Sequence, residues 1–196
     1  MTKKAILVLD VINDLVHPEG NVGKDGFYKQ AYQRGLIKNI DQLLNFARKK
    51  EITIIYVVVG FNENYNEWSP KSKLFKHVKE KKQIILGEWS TQIHEDILPQ
   101  GREIIIQKNR IDPFFNTNLD LILRTNNIEE IVLTGVSSEF VVLSTALSAH
   151  DRDYNIVVLE DCISSSDLHS HECAIHIINK IADVMCSTDF KTKVNI

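Results

Sequence analysis

The chain has 196 residues, of which 43% are hydrophobic and 25% are charged, a composition typical of a globular domain with one sizeable core. The formal net charge is −3 and no basic face stands out, which argues against electrostatic attraction to nucleic acid or to anionic lipid. No apolar run approaches the roughly 18 residues of a membrane-spanning helix. We therefore expect a single domain over residues 1–196, located in the cytoplasm, with neither a nucleic-acid nor a membrane partner.

Apolar runs and helical patterns alternate from one end of the chain to the other. The predicted strands lie at 5–10, 52–60, 103–108, 131–135, 155–161 and 183–187. The predicted helices lie at 31–50, 117–126, 138–150 and 168–181. This alternation is typical of an α/β fold with three layers, α/β/α, around a doubly wound, mostly parallel, six-stranded sheet of Rossmann-like type. No GxGxxG motif follows any strand, so a dinucleotide-binding function lacks its main support.

Two long connections interrupt this alternation. Residues 11–32 read as an irregular loop over the sheet, a type of loop that often forms a lid. Residues 61–99 are polar and aromatic and read as a crossover with one or two short helices. The aromatic side chains in this crossover, among them Phe61 and Trp89, either wall a pocket or cover an edge of the sheet.

The three cysteines, Cys162, Cys173 and Cys186, are widely separated and form no CxxC motif. This pattern argues against both a disulfide framework and a zinc site. Cys162 lies just past a predicted strand end and is the one cysteine near the rim of a plausible site. No obvious base is spaced to activate it, so the sequence does not favour Cys162 as a nucleophile.

Polar groups follow three of the predicted strands at their carboxyl ends, the edge at which open α/β sheets bind ligands. Asp10 closes the first strand and Lys108 closes the third. A carboxylate beside an ammonium keeps both groups charged, and burial beside a substrate tunes either group for proton transfer. The alternative is a buried ion pair with a structural role only.

The third feature at this edge is the turn from Val136 to Val141, where a strand runs through Gly135 into a helix that begins at Ser137 or Ser138. Unpaired backbone N–H groups in the first turn of a helix can hold an anion or a developing oxyanion. The alternative is that the glycine and the cap serve only the strand–helix connection, as they do in many such units.

Residues 135–165, GVSSEFVVLSTALSAHDRDYNIVVLEDCISS, resemble the core block of the isochorismatase-like hydrolase superfamily, which also contains the nicotinamidases and N-carbamoyl amidohydrolases. AILVLDVINDL at the start of the chain resembles the family's opening strand with its active-site aspartate, at Asp10. IIIQKNRIDPFFNTNLDLILR resembles the segment with the active-site lysine, at Lys108, followed by the usual Phe and Thr at Phe115 and Thr117. The resemblance thus covers nearly the whole chain.

The resemblance implies an isochorismatase-like hydrolase fold and roles for individual residues. The implied catalytic residues are Asp10 and Lys108, and the implied oxyanion turn is formed by Val136, Ser137 and Val141. Relatives often carry a cis peptide bond at the position of Val136 and Ser137, and we expect one here. We assign pocket-lining positions to four aromatic residues: Phe61, Trp89, Phe115 and Phe140.

Val141 occupies the position at which many relatives carry a nucleophilic cysteine, six residues after the glycine. Valine has no nucleophilic atom, so a covalent thioester route is closed at this position. Relatives that resemble true isochorismatases also lack the cysteine and hydrolyse a vinyl ether by proton donation from the aspartate, followed by attack of water. Residues 60–62 read Gly-Phe-Asn and lack the Asp-x-His pattern with which nicotinamidases bind a metal, so we expect no metal and no cofactor.

Two functions remain open from the sequence. The first is a metal-free hydrolase that acts on a small organic molecule through Asp10 and Lys108 with water as the nucleophile. The second is a catalytically silent relative that binds a small ligand or serves in an assembly. The retained charged residues favour the enzyme, and the absence of the thiol favours the silent relative. In either case we expect a homo-oligomer.

Overall fold

The computed structural model describes residues 2–195 and contains a six-stranded sheet of order β3-β2-β1-β4-β5-β6 in which every neighbouring pair is parallel. The strands are β1 Lys4–Leu9, β2 Thr53–Val59, β3 Ile104–Lys108, β4 Glu130–Val136, β5 Asn155–Ser164 and β6 Asp183–Met185. Helices cover both faces, which confirms the predicted fold class. The reversal of strand order lies between β1 and β4, where a doubly wound sheet opens a crevice at its carboxyl edge.

Within residues 2–195, seven α-helices connect or follow the strands. They are α1 Asn13–Val16, α2 Phe27–Gln33, α3 Leu36–Lys49, α4 Leu119–Thr125, α5 Leu143–His150, α6 Leu168–Ile178 and α7 Ser187–Asn195. Short 3-10 turns lie at Gly23–Asp25, Trp89–Thr91 and Glu95–Ile97, and one turn of π-helix lies at Ser138–Val142. Across residues 2–195 no helix combines the length and the apolar character needed to cross a membrane.

The period of two in the strands divides the buried side chains between two cores, one on each face of the sheet. In β1, the side chains of Leu7 and Leu9 point into one core and those of Ile6 and Val8 into the other. Helices α4, α5 and α6 cover the first core, and α3 and α7 cover the second. Because β1 is buried on both faces, it reads in sequence as a continuous apolar run rather than an alternating one.

Several element boundaries differ from the sequence prediction. The predicted helix at 31–50 is two helices, since the chain takes a left-handed conformation at Gly35 (φ 63°) between α2 and α3. The last predicted strand, 183–187, ends at Met185, and α7 was not predicted at all. Asp161 holds the start of α7 by accepting hydrogen bonds from the backbone N–H and the hydroxyl of Ser187, both at 2.7 Å.

Gly135, near the end of β4, is required by a close approach to β1. Its φ is +111°, and a Cβ atom there would lie 2.0 Å from the carbonyl oxygen of Leu9. The register between β4 and β5 also shifts between Leu133 and Gly135. The glycine therefore lets the end of β4 lie directly against β1, which brings the turn after β4 beside Asp10.

Candidate active site

Asp10 lies one residue beyond β1, in the middle of the carboxyl edge of the sheet. Its backbone is left-handed, with φ 51°, and is held by a 2.9 Å hydrogen bond from its N–H to the carbonyl of Val57. The Ile12 N–H donates to the Asp10 carbonyl, also at 2.9 Å. The residue is only 1% exposed, so the carboxyl group is removed from bulk water.

Lys108 ends β3 and reaches Asp10 across the end of β2. Two strand spacings amount to about 10 Å, a span that suits the long lysine side chain. The Lys108 Nζ lies 2.6 Å from Asp10 Oδ2 and donates a second hydrogen bond, 2.9 Å long, to the carbonyl of Arg110. Lys108 is also 1% exposed. The predicted approach of these two charged groups at the carboxyl edge is confirmed.

The environment of the pair shifts the acidity of Asp10. Burial raises the pKa of the Asp10 carboxyl above its ordinary value, and the charge and hydrogen bond of Lys108 oppose that rise. Asp10 Oδ1 has no hydrogen-bond partner among residues 2–195. A carboxyl group with a raised pKa and one oxygen without a partner is suited to exchange a proton with a bound molecule.

The turn after β4 brings further groups to the same place. The Val136–Ser137 peptide bond is cis, which confirms the prediction from the resemblance. The following π turn is closed by a hydrogen bond from the Val142 N–H to the Ser137 carbonyl (3.0 Å). The Thr145 hydroxyl donates to the carbonyl of Val141 at 2.6 Å, and this bond ties the turn to α5.

Asp10, Lys108, Val136, Ser137 and Val141 line one cavity of about 400 Å³. Its walls are mostly apolar and its mouth carries charged side chains. The apolar wall residues are Leu15, Val22, Phe27, Val59, Leu74, Phe75, Val78, Ile84, Ile111 and Phe140. The polar residues of the mouth are Asn21, Lys24, Asp25, His77, Lys81 and Gln83.

Both long connections contribute to this cavity. Residues from Asn21 to Phe27 form one wall. The prediction of an irregular loop over residues 11–32 is wrong in part, because α1 and most of α2 lie within this range. Asp14 positions this segment because its Oδ1 accepts hydrogen bonds from the backbone N–H groups of Asn21 (2.6 Å) and Val22 (3.4 Å). This role of Asp14 was not predicted from the sequence. An acidic residue in a glycine-containing loop gives no signal that separates a loop anchor from a solvated charge.

Of the four aromatic residues assigned to the pocket, the cavity is lined by Phe140 alone. Phe61 is fully buried and packs edge-on against Phe75, whose ring centroid lies 5.5 Å away, so Phe61 supports the wall from behind. Trp89 packs against His17, outside the cavity. Phe115 is 59% exposed and lies with Phe140 in a neighbouring groove. The assignments of Phe61, Trp89 and Phe115 to this cavity are therefore corrected.

The expected position of Cys162 at the rim of the site is also wrong. β5 continues to Ser164, and Cys162 is a fully buried strand residue in the core covered by α3 and α7. Burial raises the pKa of its thiol well above the ordinary value. Cys173 and Cys186 are exposed and lie outside the cavity. Within residues 2–195, no group of three or more His, Cys, Asp or Glu side chains is placed to hold a metal ion.

A polar cluster behind the turn was not predicted. The Ser138 hydroxyl lies 2.9 Å from Nδ1 of His171 on α6, and both residues are buried. Nε2 of the same ring lies 3.7 Å from Oε1 of Glu160 on β5. Glu139 Oε1 accepts hydrogen bonds from the backbone N–H and the hydroxyl of Ser166, just before α6. No local sequence pattern indicates the cluster, because its members lie on three separate elements.

The parallel α/β sheet brings an aspartate and a lysine together beside a cis-peptide turn, the arrangement that the resemblance to isochorismatase-like hydrolases implied. A sequence model of the Isochorismatase domain matches residues 4–189, and the chain belongs to that family. The family consists of isochorismatase-like hydrolases, and its members include nicotinamidases and amidases.

Solved structures over the full length of the chain share this fold. An isochorismatase family protein from Desulfovibrio vulgaris superposes with a TM-score of 0.88 at 20% identity, over 100% of both chains. An isochorismatase-like hydrolase from Alkaliphilus metalliredigens gives a TM-score of 0.81 at 24% identity, over 98% of this chain and 99% of the other. N-carbamoylsarcosine amidase from Thermoplasma acidophilum gives 0.73 at 22% identity, over 95% and 97%.

Proposed function

We propose that the protein is a metal-free hydrolase that acts on a small organic molecule, with Asp10 and Lys108 as its catalytic residues and water as the nucleophile. The observation that carries the proposal is the buried contact between Lys108 Nζ and Asp10 Oδ2, 2.6 Å long, on the wall of a cavity also lined by Val141. The cavity volume of about 400 Å³ suits a small molecule.

The side chain at position 141 decides the nucleophile. Val141 lines the cavity where relatives carry a cysteine, and the buried thiol of Cys162 lies in the core on the other side of the sheet from α5 and α6. No thiol among the described residues lines the cavity. A covalent acyl-enzyme therefore has no protein nucleophile of this kind, and water takes the role.

The proposed reaction proceeds through a protonated Asp10. Its carboxyl group donates a proton to the substrate, water attacks the carbon that bears the departing atom, and the bond from that carbon to the departing atom then breaks. One proton of the attacking water returns to the Asp10 carboxylate, and the other leaves with the products. The products contain the substrate plus one water, and Asp10 ends as it began. The raised pKa of the Asp10 carboxyl supports this acid role. Lys108 stabilises the carboxylate in the intermediate stage.

The side chains that line the cavity also indicate the chemical character of the substrate. Its walls are apolar, and Lys24 and Lys81 at the mouth outnumber the single carboxylate of Asp25. None of these three side chains forms a salt bridge within residues 2–195. We therefore propose a substrate with an apolar body and an acidic group. A cytoplasmic location and a homo-oligomeric assembly stay predictions of the sequence.

The proposal is tested by a hydrolysis screen over vinyl ethers, esters and amides, each as a matched pair of free acid and neutral amide. We expect turnover of at least one acid, no loss on thiol alkylation, and a loss on the order of 100-fold or more in Asp10→Asn, since an amide cannot exchange the proton. Asp189→Asn, at an exposed carboxylate on α7 outside the cavity, is the matched control and should retain turnover.

The second candidate is a catalytically silent relative, and Val141 in place of the family's thiol is the observation that favours it. Protein that turns over nothing in the screen, yet binds an acid equally well as wild type and as Asp10→Asn, would establish this candidate and exclude the hydrolase. A loss of turnover on alkylation would instead show that a cysteine acts in the reaction.

A further inference from the structure

The first turn after the cis peptide is connected to α6 through a buried imidazole. Ser138 is fully buried, and its Oγ lies 2.9 Å from Nδ1 of His171, which is 3% exposed. Nε2 of His171 has no hydrogen-bond partner within residues 2–195, and Oε1 of Glu160 lies 3.7 Å from it. We call Ser138, His171 and Glu160 the histidine link.

The charges around the ring determine which nitrogen carries the proton. A neutral imidazole has one N–H and one acceptor nitrogen. The Glu160 carboxylate favours the proton on Nε2, and Nδ1 then accepts a hydrogen bond from the Ser138 hydroxyl. A second proton on Nδ1 would turn this nitrogen into a donor, so the hydrogen bond would reverse. The Ser138 hydroxyl hydrogen would then lose its acceptor inside a buried site.

The groups that face His171 come from three parts of the chain. Ser138 and Glu139 belong to the turn, Glu160 to β5, and Arg34 follows α2. The Arg34 guanidinium lies 3.7 Å from the Glu160 carboxylate and donates to the backbone carbonyl of the same residue at 2.8 Å. Burial lowers the pKa of the His171 imidazole below its ordinary value; Arg34 adds to the shift, and Glu160 and Glu139 oppose it. The neutral ring is therefore the form at neutral pH.

We propose that Ser138 and His171 are positioning residues that hold the turn carrying Ser137 and Val141 in its active geometry only while the His171 ring is neutral. The expected effect on turnover rests on the proposed function. The expected effect on the structure of the turn does not. The two residues do not line the cavity. They act through the backbone of the turn. A displacement of that backbone by about 1 Å would lower the rate of the reaction by about 100-fold.

Nuclear magnetic resonance tests the structural part without a substrate. In wild type we expect the Nε2–H tautomer of His171 at pH 7. On acidification, the backbone amide signals of Ser137 and Val141 should shift with the midpoint of the His171 ring, below its ordinary value of 6.5. In His171→Asn the side-chain oxygen still accepts the Ser138 hydrogen bond but cannot be protonated, so this midpoint should disappear. His176→Gln, an exposed histidine on α6, is the matched control and should retain it.

Turnover of a substrate from the screen tests the functional part. His171→Asn should retain kcat within about threefold at neutral pH, and its kcat should no longer fall on acidification with the midpoint of the His171 ring. His171→Ala should lower kcat on the order of 100-fold, with KM little changed. If His171→Ala fails to fold, Ser138→Ala takes its place, and the same loss of kcat is expected. Any midpoint shared by wild type and His171→Asn belongs to another group, such as Asp10.

Three results would overturn the inference. The first is a His171 titration that leaves the Ser137 and Val141 amides unmoved. The second is an identical titration of those amides in His171→Asn. The third is covalent labelling of Ser138 by a fluorophosphonate, because the hydroxyl would then be an accessible nucleophile. If no substrate is found, the proposed hydrolase fails, but the amide titrations still decide the inference.

Discussion

Asp10 and Lys108 show how two residues at strand ends create a reactive pair inside a folded protein. Each charge taken out of water costs several kcal/mol unless a partner compensates it. Here the compensation comes from the 2.6 Å contact between the two groups and from the 2.9 Å bond of Lys108 to the Arg110 carbonyl, and Asp10 Oδ1 remains without a partner among the described residues. One oxygen of the Asp10 carboxyl group therefore remains available to a molecule in the cavity.

Removal of Lys108 should show how far this residue opposes the effect of burial on the Asp10 pKa. In Lys108→Met the Asp10 carboxyl loses the group that opposes the effect of burial, so its pKa should rise above the wild-type value. The native state then binds more protons than the unfolded state at mildly acidic pH, and the free energy of unfolding should fall as pH rises from 4 to 7. The loss at pH 7 should be about 3 kcal/mol. Carboxyl carbon-13 titration and urea unfolding measure both effects.

Lys73→Met is the control for this prediction because Lys73 is exposed and does not line the cavity. Its unfolding free energy should differ from wild type by less than about 0.5 kcal/mol at every pH. An Asp10 pKa in Lys108→Met at or below the wild-type value would contradict the opposing role of Lys108.

A thiol introduced by Val141→Cys should be reactive toward iodoacetamide because residue 141 lines the cavity beside Asp10 and Lys108. A carboxylate base promotes formation of the thiolate, so a second substitution, Asp10→Asn, should slow the alkylation. Peptide mass spectrometry separates this label from those on the exposed Cys173 and Cys186. Val142→Cys is the matched control, since Val142 is fully buried in the core and its thiol should stay unlabelled.

Among individual residues, the positions of the charged side chains were predicted from the sequence better than those of the aromatic side chains. Asp10 and Lys108 directly follow or end apolar strands, and a strand end fixes the location of a side chain within a few ångströms. Phe61 and Trp89 lie in or beside a long crossover, where the direction of a side chain depends on contacts distant in sequence. Phe75, Val78 and Ile84 of that crossover line the cavity instead, and no periodic pattern singles them out.

Among the elements, the wall segment from Asn21 to Phe27 depends on a close backbone contact. Gly26 has a φ of +120°, and a Cβ atom there would lie 2.3 Å from the carbonyl oxygen of Ser166, just before α6. Glu139 of the turn binds the hydroxyl of the same Ser166 at 3.2 Å. The wall and the turn therefore meet at one short segment of chain.

Gly26→Ala should separate these elements. Gly35→Ala is the matched control, because Gly35 also has a positive φ (+63°) but a methyl group added there would have no neighbouring atom within 4 Å. The control should cost about 1 kcal/mol of unfolding free energy for its backbone conformation alone. Gly26→Ala should cost clearly more, because its methyl group also meets the Ser166 backbone. Equal losses in urea unfolding would contradict the close contact.

The order of the elements was more predictable than their ends. Six strands and the helices between them follow from alternating apolar patterns, and the structure has all six. The split at Gly35, the π turn at Ser138–Val142 and helix α7 were not predicted. Helix α7 depends on tertiary contacts, since it has few apolar residues and is held by Asp161 and by the buried ring of Phe190.

For the molecule as a whole, the two cores lie on opposite faces of one sheet, and β1 contributes side chains to both. A parallel sheet buries little on either face without helices to cover it, so neither core can persist when the other is exposed. This sharing of strands supports the sequence prediction of a single domain, which we propose here as a single unit of unfolding.

The cores can be probed separately by Leu123→Ala on α4 and Phe190→Ala on α7, two fully or almost fully buried residues on opposite faces. Each substitution should lower the free energy of unfolding by about 3 kcal/mol. If the chain is one domain, each should move the same transition in urea, seen identically by far-ultraviolet circular dichroism and by tryptophan fluorescence. Leu121→Ala, which is 68% exposed on α4, should leave the midpoint nearly unchanged. Two separate transitions, each sensitive to one substitution, would show that the faces unfold independently.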